Sequence, residues 1–385
     1  MILAIMLAMQ PQGAIPMHAG WELSGPTTRY ESVRGAAAIR SNNGRAIRRD
    51  VRLQDGTIEF DVELVPFRTF VYLQFRMEKD NELEEIYLRT HKQGLPDAVQ
   101  YNPVWNGDSF WQLWHGRDAT GSPRFRFREW THVRLVIQGT RAALFLDSAT
   151  APAMVATLAR PPRDGYLALR VFTPDVESLG RETAASFANL VVRPGRVDYA
   201  FAQQAEPGFP AGTITRWQIS PAFKGDTIAI TVLTPAMLEK REQWPSYPVE
   251  RTGIVAIGRH MPRPRPAGAA IARLLLRSRG ERLQRLYLGY SDYATVWVNG
   301  RPIFSGDAHY SFDQPRQEGL IAQSQSTLWL PLRDGENEVL IAVVDGFGGW
   351  GLTGRLEPAD GALLLSQTAA TSSTAPRVSR EPTPP

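Results

Sequence analysis

The stretch Arg285-Leu-Tyr-Leu-Gly-Tyr-Ser-Asp-Tyr-Ala-Thr-Val-Trp-Val-Asn-Gly-Arg-Pro-Ile-Phe304 decides the fold class. Leu286, Leu288, Val296 and Val298 alternate with Tyr287, Thr295, Trp297 and Asn299, and a period of two puts each set on its own side of a pleated strand. Asn299-Gly300 tolerates the positive φ of a tight hairpin turn. The passage therefore predicts strand, short loop, strand, turn, strand. Further on, Asn337-Glu-Val-Leu-Ile-Ala-Val-Val344 follows the turn formers Asp334-Gly-Glu336 and runs into Asp345-Gly-Phe-Gly-Gly-Trp-Gly351.

The same alternation fills the first half of the chain. Thr57-Ile-Glu-Phe-Asp-Val-Glu-Leu64 sets Ile58, Phe60, Val62 and Leu64 against Glu59, Asp61 and Glu63. Strands are predicted likewise over 69–77, 85–91, 131–137, 142–147, 165–172 and 186–192, with turn residues such as Gln138-Gly139-Thr140 between them. Many short strands with polar turns imply two antiparallel sheets packed as a sandwich. A Pro/Gly-rich shift from Arg193 to Gly212 breaks the period. The expectation is an all-β protein of two domains, 21–197 and 213–365, joined by a linker over 198–212. Ala236-Met-Leu-Glu-Lys-Arg-Glu-Gln-Trp244 is expected to add a turn or two of helix.

The nine apolar residues from Met1 to Met9, followed by small residues to Gly20, suit a signal peptide over 1–20 and hence a secreted or periplasmic protein. The Ser/Thr/Pro-rich 366–385 cannot bury enough apolar surface to order and is expected to be a disordered tail. No run approaches the length of a membrane-spanning helix, so no integral span is expected. Lys and Arg number 43 against 39 Asp and Glu, and the pI is near 9.4. The arginines are scattered rather than massed in runs, which argues against a nucleic-acid partner. With no cysteine, disulfide and thiolate chemistry are excluded.

The Asn299-Gly300 hairpin and the Asn337 strand together resemble the galactose-binding-like jelly roll. That resemblance implies saccharide recognition in loops at one end of the second domain, with Tyr290, Asp292 and Trp350 as ligand candidates, and it admits a structural Ca2+. Asp55-Gly-Thr-Ile-Glu-Phe-Asp-Val62 and Glu129-Trp-Thr-His-Val-Arg-Leu-Val-Ile137 with Ala143-Leu-Phe-Leu-Asp147 are similar to strands of concanavalin A-like, laminin-G-like lectins and glucanases. A further likeness, to the 3-keto-disaccharide hydrolase domain, rests on Ile86-Tyr-Leu-Arg89 and Ala98-Val-Gln-Tyr101.

Two sets of residues in the first domain could carry chemistry. Glu59-Phe-Asp-Val-Glu63 matches the E-x-D-x-E string of laminarinase-type glycosidases, whose mechanism needs a nucleophile and a general acid about 5–5.5 Å apart. Three acids on one strand face are equally what a solvated outer strand shows. The second set is a polar-aromatic belt of Tyr87, Arg89, His91, Gln100, Tyr101, Trp105 and Trp114, able to stack on sugar C–H faces and bond sugar hydroxyls. Trp105 and Trp111 could instead belong to the core, and Arg89 could pair with Glu84 or Glu85. His91, His115 and His132 lack any metal-ligand spacing, so no metal centre is expected. The partner expected is a carbohydrate, bound without a cofactor or cleaved by a glycoside hydrolase, with a purely structural module as the remaining alternative.

Overall fold

The structure is a computed structural model and describes residues 13–174, 182–203, 208–226, 228–312, 314, 318–358 and 362–364. The start of the expected leader and the expected tail lie outside the described residues. The chain divides into two compact units, Met1–Pro207 with Gly258–Arg263, and Gly208–Ile257 with Pro264–Pro385. Both are all-β and antiparallel. The stretch 236–244 makes two single 3-10 turns, Pro235–Leu238 and Arg241–Gln243.

The first unit stacks two sheets. One runs Glu22–Ser24, Gly44–Leu53, Gly165–Phe172, Phe70–Lys79, Glu82–Arg89, Val99–Trp105 and Thr120–Gly121, with Asp108–Ser109 on the Val99–Trp105 strand. The other runs Met154–Thr157, Arg141–Leu146, Trp130–Gln138, Gly56–Glu63, Ala185–Pro194, Ala36–Ser41 and Arg29–Val33. Ile58, Phe60, Val62, Leu135 and Phe187 from the seven-stranded sheet are buried, as are Leu73, Phe75, Ile86 and Leu88 from the eight-stranded one. Phe60 and Phe187 lie 5.9 Å apart.

The unit extends beyond its expected limits at both ends. Ile15 N–H donates to the Leu190 carbonyl, and Met17 is buried. Past residue 197, Tyr199 and Phe201 pack with Phe145, Val136 and Ala143, on the far side of the seven-stranded sheet.

The second unit has one sheet ordered Ser246–Pro248, Arg216–Ile219, Ala267–Ser278, Gly335–Asp345, Tyr293–Val298 and Arg301–Asp307, with Phe223–Gly225 and Ala362–Leu364 also paired to Ala267–Ser278. Its other sheet is Val255–Ala256, Gly351–Leu356, Arg282–Ser291 and Ser326–Leu332. Asn299 and Gly300 take φ of 50° and 78°, as the hairpin required. The Tyr293–Val298 strand is buried on both faces, not one. Trp297 packs with Trp244, Ile271 and Leu340, and Phe223, Leu233 and Met237 cover that cluster.

A buried guanidinium ties the first unit together. Arg76 sits at a left-handed φ of 47°, where the pairing of Phe70–Lys79 with Glu82–Arg89 loses its register. Its side chain is 1% exposed. Nε donates to the Gln54 carbonyl at 2.7 Å, and Nη2 to Asp55 Oδ1 at 2.9 Å and the Gly139 carbonyl at 2.7 Å. Asp55 also accepts from the Gly139 N–H. One charge thus holds two turns of the opposite sheet. Glu84 lies nearby on the inner face, and burial pushes its carboxyl up to about 7 in spite of Arg76 and Arg160.

Substitution at these two positions is expected to have opposite effects. Arg76→Met strands Asp55 and two carbonyls, and should lower the first unit's stability by about 3 kcal/mol in denaturant unfolding. Glu84, raised above the ordinary unfolded value of about 4.3, keeps a proton that the unfolded chain releases. Its contribution is fully present below that value and is lost as pH rises to about 7. Glu84→Gln should therefore flatten the stability profile between about pH 4 and 7 and leave the variant at least as stable as the parent at pH 8.

Candidate functional site

The outward face of the eight-stranded sheet carries three cross-strand rows. Phe172, Phe70 and Arg89 are direct partners in the first. Arg45, Arg170, Tyr72, Tyr87 and Gln100 form the second. Ile47, Ala168, Gln74, Glu85 and Asn102 form the third. Directly opposed residues of antiparallel strands project to the same side. Beyond the third row the face is closed by apolar packing of Ile47, Met77, Leu83, Val104 and Tyr166.

The rows are polar where a sheet face packed on a core would be apolar. Glu85 accepts from Gln74 Nε2 at 2.7 Å and from Asn102 Nδ2 at 2.8 Å. A carboxylate between them requires both amides to turn their nitrogens toward it, which leaves Gln74 Oε1 and Asn102 Oδ1 as acceptors without a protein partner. Tyr72 and Tyr87 are 5.0 Å apart, and Phe70 lies 5.9 Å from Phe172. Burial holds both phenols protonated, with Tyr72 pushed up to about 12. Tyr72, Gln74, Tyr87 and Glu85 are buried floor, whereas Arg45, Arg170, Phe70 and Phe172 are half-buried and meet solvent. This strip offers aromatic edges and faces, amide acceptors and guanidinium donors together.

The expected belt is only partly in this strip. Tyr87, Arg89 and Gln100 belong to it, bonded to one another: Tyr87 Oη donates to Gln100 Oε1 at 2.9 Å, and Arg89 Nη2 to Tyr87 Oη at 2.6 Å. Arg89 pairs with Asp97 instead of Glu84 or Glu85. Exposed His91 stands at the rim, edge-on to Phe70 at 5.2 Å, and desolvation with the charges of Arg68, Arg89 and Lys92 lowers it to about 4. Tyr101 has the opposite parity. It pairs with Ile86, is fully buried, and accepts from the Ala159 N–H at 2.7 Å. Trp105 and Trp114 are buried against each other and Phe110, with Arg160 over Trp105, so neither indole presents a face to a ligand. Arg45, Phe70, Tyr72, Gln74, Glu85, Asn102, Arg170 and Phe172 join the site from strands that sequence parity alone could not align.

The acid string lies on the other sheet, facing outward, and every acid is matched. Glu59 pairs with Arg193 at 2.8 Å, and Glu63 with Arg34 at 2.9 Å and Arg40 at 3.4 Å. Asp61 accepts from His132 Nδ1 at 2.8 Å and Asn189 Nδ2 at 2.7 Å. Burial alone would raise Asp61, but those two hydrogen bonds outweigh it and leave the carboxyl below its ordinary value. A glycosidase acid needs the reverse shift. Glu63 also borders a hollow of about 380 Å³ with Glu31, Arg34, Arg40, Arg128 and Glu182.

In the second unit, Tyr290, Asp292 and Trp350 are buried. Gly306 makes room for the Tyr290 hydroxyl, which a Cβ there would meet at 1.9 Å. Asp292 Oδ2 accepts from the Gly346 and Phe347 amides, and Oδ1 from Ser291 Oγ. Trp350 Nε1 donates to the Val343 carbonyl. These groups hold the glycine-rich loop against its own sheet. Both carboxylate oxygens of Asp292 are thus engaged by donors of its own unit.

No family model matches the chain, and no curated protein does. Among solved structures, a carbohydrate-binding module, CBM66, from Bacillus subtilis is similar at 17% identity and TM-score 0.33, over 45% of this chain and 94% of that one. A protein of unknown function with a galectin-like fold, also from Bacillus subtilis, is similar at 8% identity and TM-score 0.33, over 46% and 92%. A β-glucanase from Bacillus licheniformis is similar at 14% identity and TM-score 0.34, over 49% and 100%. Similarity at this level says nothing of what this chain binds.

The His132–Asp61 pair can be tested directly. Its hydrogen bond to Asp61 raises His132 above its ordinary value. That contribution is complete below about pH 6.5 and fades as pH rises through the folded value. Asp61's own share is complete above about pH 3.9 and is lost as pH falls through its depressed value. With the imidazole side chain 43% exposed, the pair should stabilise by less than about 1 kcal/mol. In an NMR pH titration Asp61→Asn should lower the His132 midpoint, while any glycan binding stays unchanged.

Proposed function

We propose that the first unit binds carbohydrate on the outward face of its eight-stranded sheet, without cleaving it. The observation that carries this reading is the half-buried Phe70–Phe172 pair beside the row of Arg45, Arg170, Tyr72 and Tyr87. A sugar ring is apolar on its C–H faces and polar round its rim. It suits aromatic rings flanked by guanidinium donors, as Phe70 and Phe172 are by Arg170 and Arg45. Within the three rows Glu85 is the one carboxylate, and glycoside hydrolysis needs two. The acid string on the other sheet is spent on ion pairs, which also favours binding over hydrolysis. Its apolar start suits work outside the cytoplasm.

The test is retention of the whole protein on a panel of immobilised neutral and acidic polysaccharides, with reducing ends assayed in parallel. At least one glycan should retain it, with no reducing ends released on prolonged incubation. Phe172→Ala should weaken that retention about tenfold at unchanged melting temperature, the loss of one stacking contact of about 1.4 kcal/mol. Glu59→Gln should leave it alone. Retention by no glycan would defeat the proposal, and release of sugar would replace it with hydrolysis.

A further inference from the structure

The second row opposes two like charges. Arg45 and Arg170 are direct partners on neighbouring antiparallel strands and project to the same face. Such a pair is destabilising unless something neutralises it. Arg170 lies over Tyr72 at 4.8 Å and has no hydrogen-bond or ion-pair partner among the described residues. Arg45 donates to the Asp80 backbone carbonyl at 3.1 Å and touches Met77 Sδ at 3.5 Å, and its Nε is unpartnered. Among the described residues, neither guanidinium bonds a carboxylate.

Among the described residues, the nearby acids are committed elsewhere. Glu85 is held by Gln74 and Asn102, Asp97 by Arg89 and Lys92, and Asp80 by Arg49 and Tyr166. Burial, joined by Arg170, lowers the pKa of Arg45 despite Asp80 and Glu85. Two buried guanidiniums in this unit are matched to acids, Arg76 to Asp55 and Arg160 to Glu78 and Glu82. The Arg45–Arg170 pair is left without that compensation, at the half-buried part of the proposed sugar strip.

We infer that the sugar bound on this face is acidic, and that its carboxylate bridges Arg170 and Arg45. A planar carboxylate matches the fork of a guanidinium and can accept from two of them, and it removes the like-charge repulsion that the empty face sustains. Ring C–H groups then fall over Phe172 and Phe70. The ligand class is a uronic-acid oligosaccharide. This inference rests on the proposed carbohydrate reading and sharpens it.

The experiment titrates the whole protein by calorimetry with oligouronates and with the same oligosaccharides after reduction of their carboxyls to alcohols. The acid form should bind at least tenfold more tightly, with affinity falling as salt is raised. Arg170→Gln should abolish that preference while leaving the weak binding of the reduced sugar. Arg170→Lys should restore part of it, because charge returns without the fork. Phe172→Ala should weaken both forms alike. If the reduced sugar binds as well as the acid, or Arg170→Gln keeps the preference, the acidic-sugar inference is overturned and the carbohydrate reading stands. If neither form binds and the polysaccharide panel is blank, the carbohydrate reading itself falls.

Discussion

A pleated strand shows each face only at every second residue, and everything proposed for the first unit depends on which residues have which parity. A slip of one residue in Glu82–Arg89 would turn Glu84 outward and drive Glu85 into the core. What fixes parity is a matched pair of irregularities. Register shifts between Phe75 and Lys79 on one side of the Phe70–Lys79 strand, and between Tyr166 and Ala168 on the other. Gly165 lies so close to the bulge that a Cβ would stand 2.3 Å from the Arg76 carbonyl carbon. Arg76, kinked at that point, sends its guanidinium inward to the Asp55 and Gly139 turns. The bulge that sets the rows on one face thus also anchors the sheet to its neighbour through the other.

Parity within a strand was legible in the sequence. Alternation placed Ile58, Phe60 and Val62 against Glu59, Asp61 and Glu63, and it found the Asn299-Gly300 hairpin. Register between strands was not legible, because it is set by bulges and by contacts distant in the chain. Arg45 and Arg170 become neighbours only when Gly44–Leu53 and Gly165–Phe172 pair. Gln74 and Asn102 meet only through Glu85. Alternation also misled where both faces of a strand are covered. Glu82-Leu-Glu-Glu-Ile-Tyr-Leu-Arg89 buries Leu83 on the same side as Glu85, because one end of the outward face is plugged with apolar side chains. Trp297 likewise disappears under residues from 223–238, which carry no period that would have announced them.

Residue type is a poor guide to work done unless exposure is known. Trp105, Trp114, Tyr101, Tyr290, Asp292 and Trp350 have the chemistry of sugar ligands, yet each is satisfied inside the protein. The indoles bury large apolar area, and the polar tips find backbone partners: Trp350 Nε1 at Val343, Tyr101 Oη at Ala159, Asp292 Oδ2 at Gly346. An aromatic or acid at the end of a strand more often meets a structural need, closing a loop or capping a core, than a ligand. Phe70 and Phe172 bear no polar group to single them out in the sequence, but on the outward face of this sheet they are rings that solvent partly reaches.

The arginines extend the same lesson to charge. A composition of 43 basic and 39 acidic residues suggests a mildly basic surface and nothing more. In the fold most of that charge cancels locally: Arg34 and Arg40 against Glu63, Arg49 against Glu22 and Asp80, Arg193 against Glu59, Arg263 against Asp108. The exposed pairs among these contribute little to stability, and their main effect is to cancel charge locally. An unmatched guanidinium in such a background is more informative than the net charge of the chain. What sets Arg45 and Arg170 apart is that they oppose each other directly on one face with no acid bonded to either among the described residues, and the inferred acidic ligand rests on that opposition.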